Sequence, residues 1–97
     1  MLNLDKLHEN NKQKKYLQKN IYEKIFKLMC ETINFAAESG EEFCLYQVPE
    51  FLIDEISYPL TECIEYLEKK LKKIKKNEHI VDVSFYKPNV YFFKWKI

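Results

Sequence analysis

Arginine is absent from this 97-residue chain, in which all 16 basic residues are lysines. Arginine is the usual residue for bidentate recognition of base edges and phosphates, so its absence argues against sequence-specific reading of DNA. Glycine is nearly absent as well, because Gly40 is the only one. One glycine cannot build either of the common glycine-rich phosphate-binding loops. The scarcity of glycine therefore excludes the usual phosphate-binding loops.

Cysteine and histidine are also scarce. Cys30, Cys44 and Cys63 are widely spaced without a CxxC pair, and His8 and His79 lie near opposite ends of the chain. This spacing is not typical of zinc sites, and an odd number of cysteines argues against a disulfide framework. We therefore expect buried, reduced thiols, with no metal and no cofactor.

Long apolar runs are missing too. No run approaches the roughly 20 residues of a membrane-spanning helix. The first residues, Met1-Leu2-Asn3-Leu4-Asp5-Lys6, lack the basic and apolar regions of a signal peptide. We expect a protein that is not secreted and does not bind a membrane.

The net charge of +1 conceals a strong segregation of charge along the chain. Residues 1–27 carry seven lysines and three acids, and residues 28–68 carry ten acids and no lysine. Residues 69–97 carry nine lysines and two acids. This distribution predicts a dipolar surface, whose partners can be of either sign.

A long amphipathic helix is predicted over residues 5–39, which contain neither proline nor glycine and carry apolar residues at helical spacing. Gly40 is the expected stop signal. The apolar residues wrap beyond one stripe, which exceeds what one small sheet can cover. We expect the surplus to form a protein interface, and the alternative is that both sides pack within the domain. The candidate interface residues on this helix are Leu17, Ile21, Tyr22, Phe26 and Met29.

Further elements are predicted downstream of Gly40. The aromatic and β-branched run 42–48 predicts a strand, and Pro49 favours a short helix over 50–56. Pro59 marks the start of another helix, in which acids precede lysines in the order that suits the helix dipole. Its apolar stripe consists of Leu60, Cys63, Ile64, Leu67, Leu71 and Ile74.

The last part of the chain predicts a β-hairpin. Residues 81–86 and 91–97 alternate in polarity on either side of Lys87-Pro88-Asn89. If the odd-numbered residues of the last strand point into the core, Phe92 points outward. Phe92 is therefore a candidate contact residue.

The predicted order of helix, strand, short helix, helix, strand, turn and strand is that of a winged-helix domain in the α+β class. We expect a single domain over 1–97, with a long N-terminal helix over 1–39 and a winged-helix-like core over 40–97. The alternative is a generic α+β sandwich, in which one long helix crosses a three-stranded sheet.

Four short motifs carry a resemblance over roughly residues 43–97. They are Tyr46-Gln47-Val48-Pro49-Glu50-Phe51, Tyr58-Pro59-Leu60, the Tyr66–Leu71 stretch of form YLxxxL, and Pro88-Asn89 followed by aromatic residues up to Trp95. In this pattern the chain resembles a group of short proteins from large AT-rich DNA viruses of the giant-virus kind. The resemblance implies a viral origin, with the virion or the viral factory in the host cytoplasm as the expected location, and it implies no particular activity.

No residue set predicts catalysis. Glu62, Glu65 and Glu68 fall on the expected solvent face of the second long helix, and no serine or cysteine belongs to a nucleophile motif. We therefore expect a protein that is not an enzyme.

Two functions follow as hypotheses. In the first, lysines form one basic patch that contacts the nucleic-acid backbone without sequence specificity. The expected nucleic-acid-binding residues are Lys69, Lys70, Lys72, Lys73, Lys76, Lys87 and Lys94. In the second, the protein is an oligomerising assembly or virion component whose long helix binds another protein or a second copy.

Overall fold

Two helices and one antiparallel sheet make up the part of the chain that the structure describes. The computed structural model describes residues 4–75 and 80–95, with side chains at 10–74 and 82–95. The chain is of the α+β class, with three strands in its sheet. The elements in order are α1 (Leu4–Glu38), β1 (Phe43–Gln47), α2 (Leu60–Lys75), β2 (Ile80–Tyr86) and β3 (Val90–Trp95).

Helix α1 is continuous over 35 residues and ends where the sequence predicts. Gly40 has φ +83°, a left-handed conformation that favours glycine. Its N–H donates to the carbonyl of Ala37 at 3.1 Å, and the N–H of Glu41 donates to the carbonyl of Ala36 at 3.0 Å. This pair of bonds is a Schellman motif, which satisfies carbonyls that the end of a helix leaves free.

The predicted helix over 50–56 is not observed. Residues 48–59 connect β1 to α2 without regular structure. Asp54 has φ 65°, which is incompatible with a right-handed helix, and the proline after Tyr58 disfavours a helical conformation there. The Tyr58 hydroxyl donates instead to the carbonyl of Pro49, which closes the segment into a loop.

Helix α2 buries the apolar stripe that the sequence predicts. The first helical bond runs from the Cys63 N–H to the carbonyl of Pro59, at 3.2 Å. Cys63, Leu67 and Leu71 are buried, and the remaining apolar residues of the stripe are partly buried. Each fully buried side chain of this kind contributes about 1.5–3 kcal/mol relative to an exposed one.

The sheet has the strand order β1-β3-β2, and both pairs are antiparallel. Tyr91, Phe93 and Trp95 point into the core and are buried, whereas Phe92 and Lys94 point to the other face. The predicted hairpin and its alternation are therefore confirmed. Ile97, which the same pattern placed inward, lies outside the described residues.

The hairpin turn, residues 87–89, is tied to the end of β1. The Asn89 side chain is buried and its Nδ2 donates to the carbonyl of Val48 at 2.7 Å. In return the Val48 N–H donates to the carbonyl of Asn89 at 2.8 Å. The asparagine thus pairs a buried backbone carbonyl that would otherwise lack a partner.

Both helices contribute to one core on the inner face of the sheet. Ile21, Ile25 and Met29 of α1 join Leu67 of α2 and Phe93 of β3 in this core. The molecule measures 62 × 27 × 22 Å because a helix of this length extends roughly 50 Å. Residues 10–17 are all exposed, so the N-terminal part of α1 projects beyond the core.

Candidate interaction surfaces

The predicted interface on α1 is wrong for three of its residues. Ile21, Tyr22 and Met29 are buried in the core of the same chain, where α2 and the sheet already cover them. Phe26 is partly buried against that core, whereas Leu17 is 46% exposed. Of the predicted residues on α1, Leu17 is thus the most accessible to a partner.

The structure adds three exposed apolar residues of α1 that the prediction omitted, of which Tyr16 is 67% exposed. Leu28 is 46% exposed and Phe35 is 72% exposed. Positions 17, 28 and 35 are separated by close to whole numbers of helical turns, so they lie along one side of α1, next to the buried stripe. We call Leu17, Leu28 and Phe35 the α1 apolar line. Their seven- and eleven-residue spacing was visible in the sequence, but the split between covered and uncovered apolar residues was not.

One ion pair lies beside the α1 apolar line. The Nζ of Lys24, which falls between Leu17 and Leu28 on the helix, contacts a carboxylate oxygen of Glu55 in the loop before α2. The lysine side chain is 60% exposed and the glutamate 31% exposed. Such a pair contributes at most about 1 kcal/mol to stability. Its local effect is to neutralise a charge in the middle of the line.

Three of the predicted nucleic-acid-binding lysines share one side of α2. Lys69, Lys72 and Lys73 are exposed on the side opposite to the buried leucines of this helix. We call these three the α2 lysine stripe. Lys70 differs, because it is partly buried and its Nζ lies 5.4 Å from the ring centroid of Tyr66. Lys76 lies outside the described residues.

The expectation of one continuous basic patch is wrong for Lys94. This lysine is paired with Phe43 and Asp82 on the outer face of the sheet, away from the core that α2 helps to form. Strand alternation causes this separation. Lys87 is exposed in the hairpin turn after β2, and its membership of the basic patch stays a prediction.

The outer face of the sheet is apolar and partly uncovered. Phe92 points outward, as predicted, and stacks on Phe43 with ring centroids 5.7 Å apart. Phe43 is 51% exposed, and Leu45, which is paired with Phe92, is 59% exposed. Polar residues normally occupy such a solvent-facing sheet surface, so this exposed apolar cluster is a candidate contact surface.

Two tyrosines bind carboxylates that the sequence analysis placed in solvent. The Tyr91 hydroxyl donates to Glu68 Oε1 at 2.7 Å, and the Tyr22 hydroxyl donates to Glu62 Oε2 at 3.2 Å. Burial, followed by the bonded carboxylate, raises the pKa of both tyrosines above the usual value. Both hydroxyls therefore stay protonated near neutral pH and serve as donors that hold α2 in place.

The cysteines are not arranged for nucleophilic chemistry. Burial raises the pKa of Cys63 to about 11, and it also raises the pKa values of Cys44 and Cys30. Because the thiolate is the reactive form, these thiols are weak nucleophiles near neutral pH.

The described part of the chain lacks two further features. It holds no group of three or more histidine, cysteine or carboxylate side chains that could bind a metal ion. Neither of its helices has the length and apolar character needed to span a membrane.

Comparison with known proteins gives one family and one relative. The family of unknown function DUF5759 matches residues 2–72, which extend from α1 into α2. "Uncharacterized protein R447" of Acanthamoeba polyphaga mimivirus is 33% identical over 99 residues, covering 99% of this chain and 77% of the relative. No solved structure shows significant similarity to the chain. The chain therefore belongs to the DUF5759 family and is related to a giant-virus protein.

Proposed function

We propose that the chain is a non-enzymatic, winged-helix-like protein that assembles with further copies of itself through α1. The strand order β1-β3-β2, with one helix before β1 and a hairpin after α2, supports the winged-helix relationship. The second helix of that fold is replaced by the loop over residues 48–59. Because this loop holds no helix, a helix-turn-helix that places α2 in a DNA groove is less well supported.

The α1 apolar line is the observation that carries this proposal. Leu17, Leu28 and Phe35 stay exposed, as does Tyr16, whereas Ile21, Ile25 and Met29 of the same helix are buried. Burying apolar area contributes about 25 cal/mol per Å², so a partner that covers this line gains stability. A second α1 is a suitable partner, because it presents the same line.

Charge along α1 favours an antiparallel arrangement of the two copies. The exposed lysines at 12, 14, 15 and 19 occupy the N-terminal half, whereas Glu31 and Glu38 are exposed in the C-terminal half. An antiparallel pair of helices centred near residue 26 sets Leu17 against Phe35 of the second copy. The same pairing brings Lys14 to the level of Glu38, and it sets Leu28 against Lys24, whose charge Glu55 of the same copy neutralises.

Mass measurement tests the proposal. Sedimentation equilibrium or light scattering of the full chain, over a range of concentrations, is expected to show a dimer that dissociates on dilution. Replacing Phe35 by serine is expected to weaken dimerisation by about tenfold or more, since it removes one aromatic side chain from each half of the interface. Phe51→Ser is the matched control, because Phe51 is a similarly exposed phenylalanine, at 71%, that belongs to the loop over residues 48–59 and not to α1.

Two outcomes would contradict the proposal. One is a strict monomer at every concentration at which the protein is soluble. The other is a dimer that Phe51→Ser weakens as much as Phe35→Ser does, because the interface would then not depend on the α1 apolar line. Unchanged thermal unfolding of both variants confirms that neither result reflects loss of folding.

The α2 lysine stripe favours a second candidate function, which is non-specific association with nucleic acid. Three exposed lysines on one side of a helix can displace counterions from a phosphate backbone. Replacing Lys72 by glutamine is expected to lower the salt dependence of binding to random-sequence DNA by about one displaced ion. Lys94→Gln, on the outer face of the sheet, is the control that should leave the slope unchanged. Absence of binding at about 100 mM salt would rule this function out.

A further inference from the structure

Strand β1 forms one edge of the sheet, and part of its backbone faces away from β3. The Trp95 N–H donates to the carbonyl of Glu42, and the Val48 N–H donates to that of Asn89. Even-numbered residues of this segment therefore face β3, because hydrogen-bonded pairs alternate with non-bonded pairs in an antiparallel ladder. It follows that the N–H and C=O groups of Phe43, Leu45 and Gln47 point to the open edge.

This edge lacks three of the features that protect a sheet edge from further pairing. Strand β1 contains no lysine, no proline and no bulge. The opposite edge strand, β2, differs in two respects. Its pairing with β3 is irregular between Ile80 and Asp82, and Asp82 carries a charged side chain at this irregularity. An added strand at β1 would gain backbone bonds together with an apolar surface formed by Phe43, Leu45 and Phe92.

The charge around β1 indicates which kind of strand fits. Glu41 and Glu42 precede the strand, Glu50 follows it, and all three are exposed. No lysine occurs anywhere in residues 28–68. A second copy that paired its own β1 here would bring the same acidic flanks together, which opposes the pairing. Basic side chains at the two ends of an added strand would instead be attracted to these glutamates at both ends of β1.

We infer that the β1 edge binds an extended segment of another protein, with alternating apolar residues in its centre and lysine or arginine at its flanks. Main-chain hydrogen bonds to the open edge supply affinity, as in other cases of strand addition. The outer face of the sheet accepts every second side chain of the bound segment, and the acidic flanks select against acidic partners. This site is separate from the α1 apolar line.

A synthetic peptide provides the probe. It has alternating valine and threonine in the centre, lysine pairs at both flanks and blocked ends. Titrated into the isotope-labelled full chain, it is expected to shift the amide NMR signals of Phe43, Leu45 and Gln47 and to slow their hydrogen exchange. The same peptide with glutamate flanks is expected to bind about tenfold more weakly at low salt, and the difference should shrink at high salt.

Backbone changes on either partner test the hydrogen bonding. Leu45→Pro removes an N–H that points to the open edge and leaves the ladder with β3 unbroken, so it should abolish peptide binding. Leu45→Thr is the matched control, since it also loses the leucine side chain but keeps the N–H. A peptide carrying N-methyl groups on alternate residues gives an independent measure that needs no protein variant, and it should fail to bind.

Several results would overturn the inference. Signal changes that map to α1 or α2 rather than β1 would do so, as would equal binding by the lysine- and glutamate-flanked peptides. The amide signals of β1 could also change with protein concentration in the absence of peptide. If Leu45→Pro abolished that change, a second copy of the chain would occupy the edge instead. Phe35→Ser should leave peptide binding unchanged, so failure of α1-mediated assembly and failure of this site are distinguishable.

Discussion

Replacing Tyr91 by phenylalanine isolates the hydrogen bond that joins β3 to α2. The ring of Tyr91 is fully buried and lies against Phe85 and Phe93, with centroids 4.9 and 5.9 Å away, and phenylalanine keeps these contacts. The change removes the hydroxyl that donates to Glu68 Oε1 at 2.7 Å. A partly buried carboxylate then loses its donor, which is expected to cost about 1–3 kcal/mol of folding free energy.

Urea unfolding, followed by the fluorescence of the single tryptophan, measures this loss. Tyr22→Phe is the matched control, because its hydroxyl donates over a longer 3.2 Å to Glu62, which is exposed, and should cost less than about 1 kcal/mol. A double-mutant cycle with Glu68→Ala is expected to give a coupling energy near 1 kcal/mol. If Tyr91→Phe costs less than about 0.5 kcal/mol, or the two changes are additive, the hydrogen bond does not hold α2 to β3.

Three further predictions concern stability. Gly40→Ala should cost about 1 kcal/mol in urea unfolding, because φ is +83° although no atom lies within 4 Å of the added Cβ. Leu67→Ala should cost about 2–5 kcal/mol in the same assay, since the side chain is fully buried; a loss below 1 kcal/mol would contradict its place in the core. Burial is the largest of the causes that raise the pKa of the Tyr58 hydroxyl to about 12. The stability that the protonated hydroxyl contributes is therefore intact below about pH 10, and it is lost as the pH rises from there toward 12. Thermal unfolding between pH 9 and 12 should therefore show a loss of stability above about pH 10 that Tyr58→Phe makes shallower.

Most of the regular elements were predictable because their signals are local. Gly40 ends α1 through its own φ angle, and the alternation around Phe92 orients every residue of β3. The separation of Lys94 from α2 was also predictable, because the alternation that turns Phe92 outward turns Lys94 outward too. The error was to group the lysines by proximity in sequence rather than by the face of the element that carries them.

The segment over residues 48–59 was not predictable in the same way. Proline near its start favoured a helix, but contacts from distant parts of the chain hold it as a loop. Gln18 Nε2 donates to the carbonyl of Ser57 at 3.1 Å, across 39 positions of sequence. Lys24 contacts Glu55 across 31 positions. Local propensity is weak in a segment this short, so tertiary contacts decide its conformation.

Outside residues 48–59, the sequence by itself determined which stretches become helix or strand and which side of each strand is apolar, because periodicity and stop signals act within a few residues. Only the tertiary structure decided how much of the apolar surface of α1 remains exposed. Ile21, Tyr22 and Met29 are covered, whereas Leu28 and Phe35 are not, since α2 and the sheet reach only one side of the helix. The sheet edge at β1 is likewise a property of strand order, which arises from pairing between residues far apart in the chain.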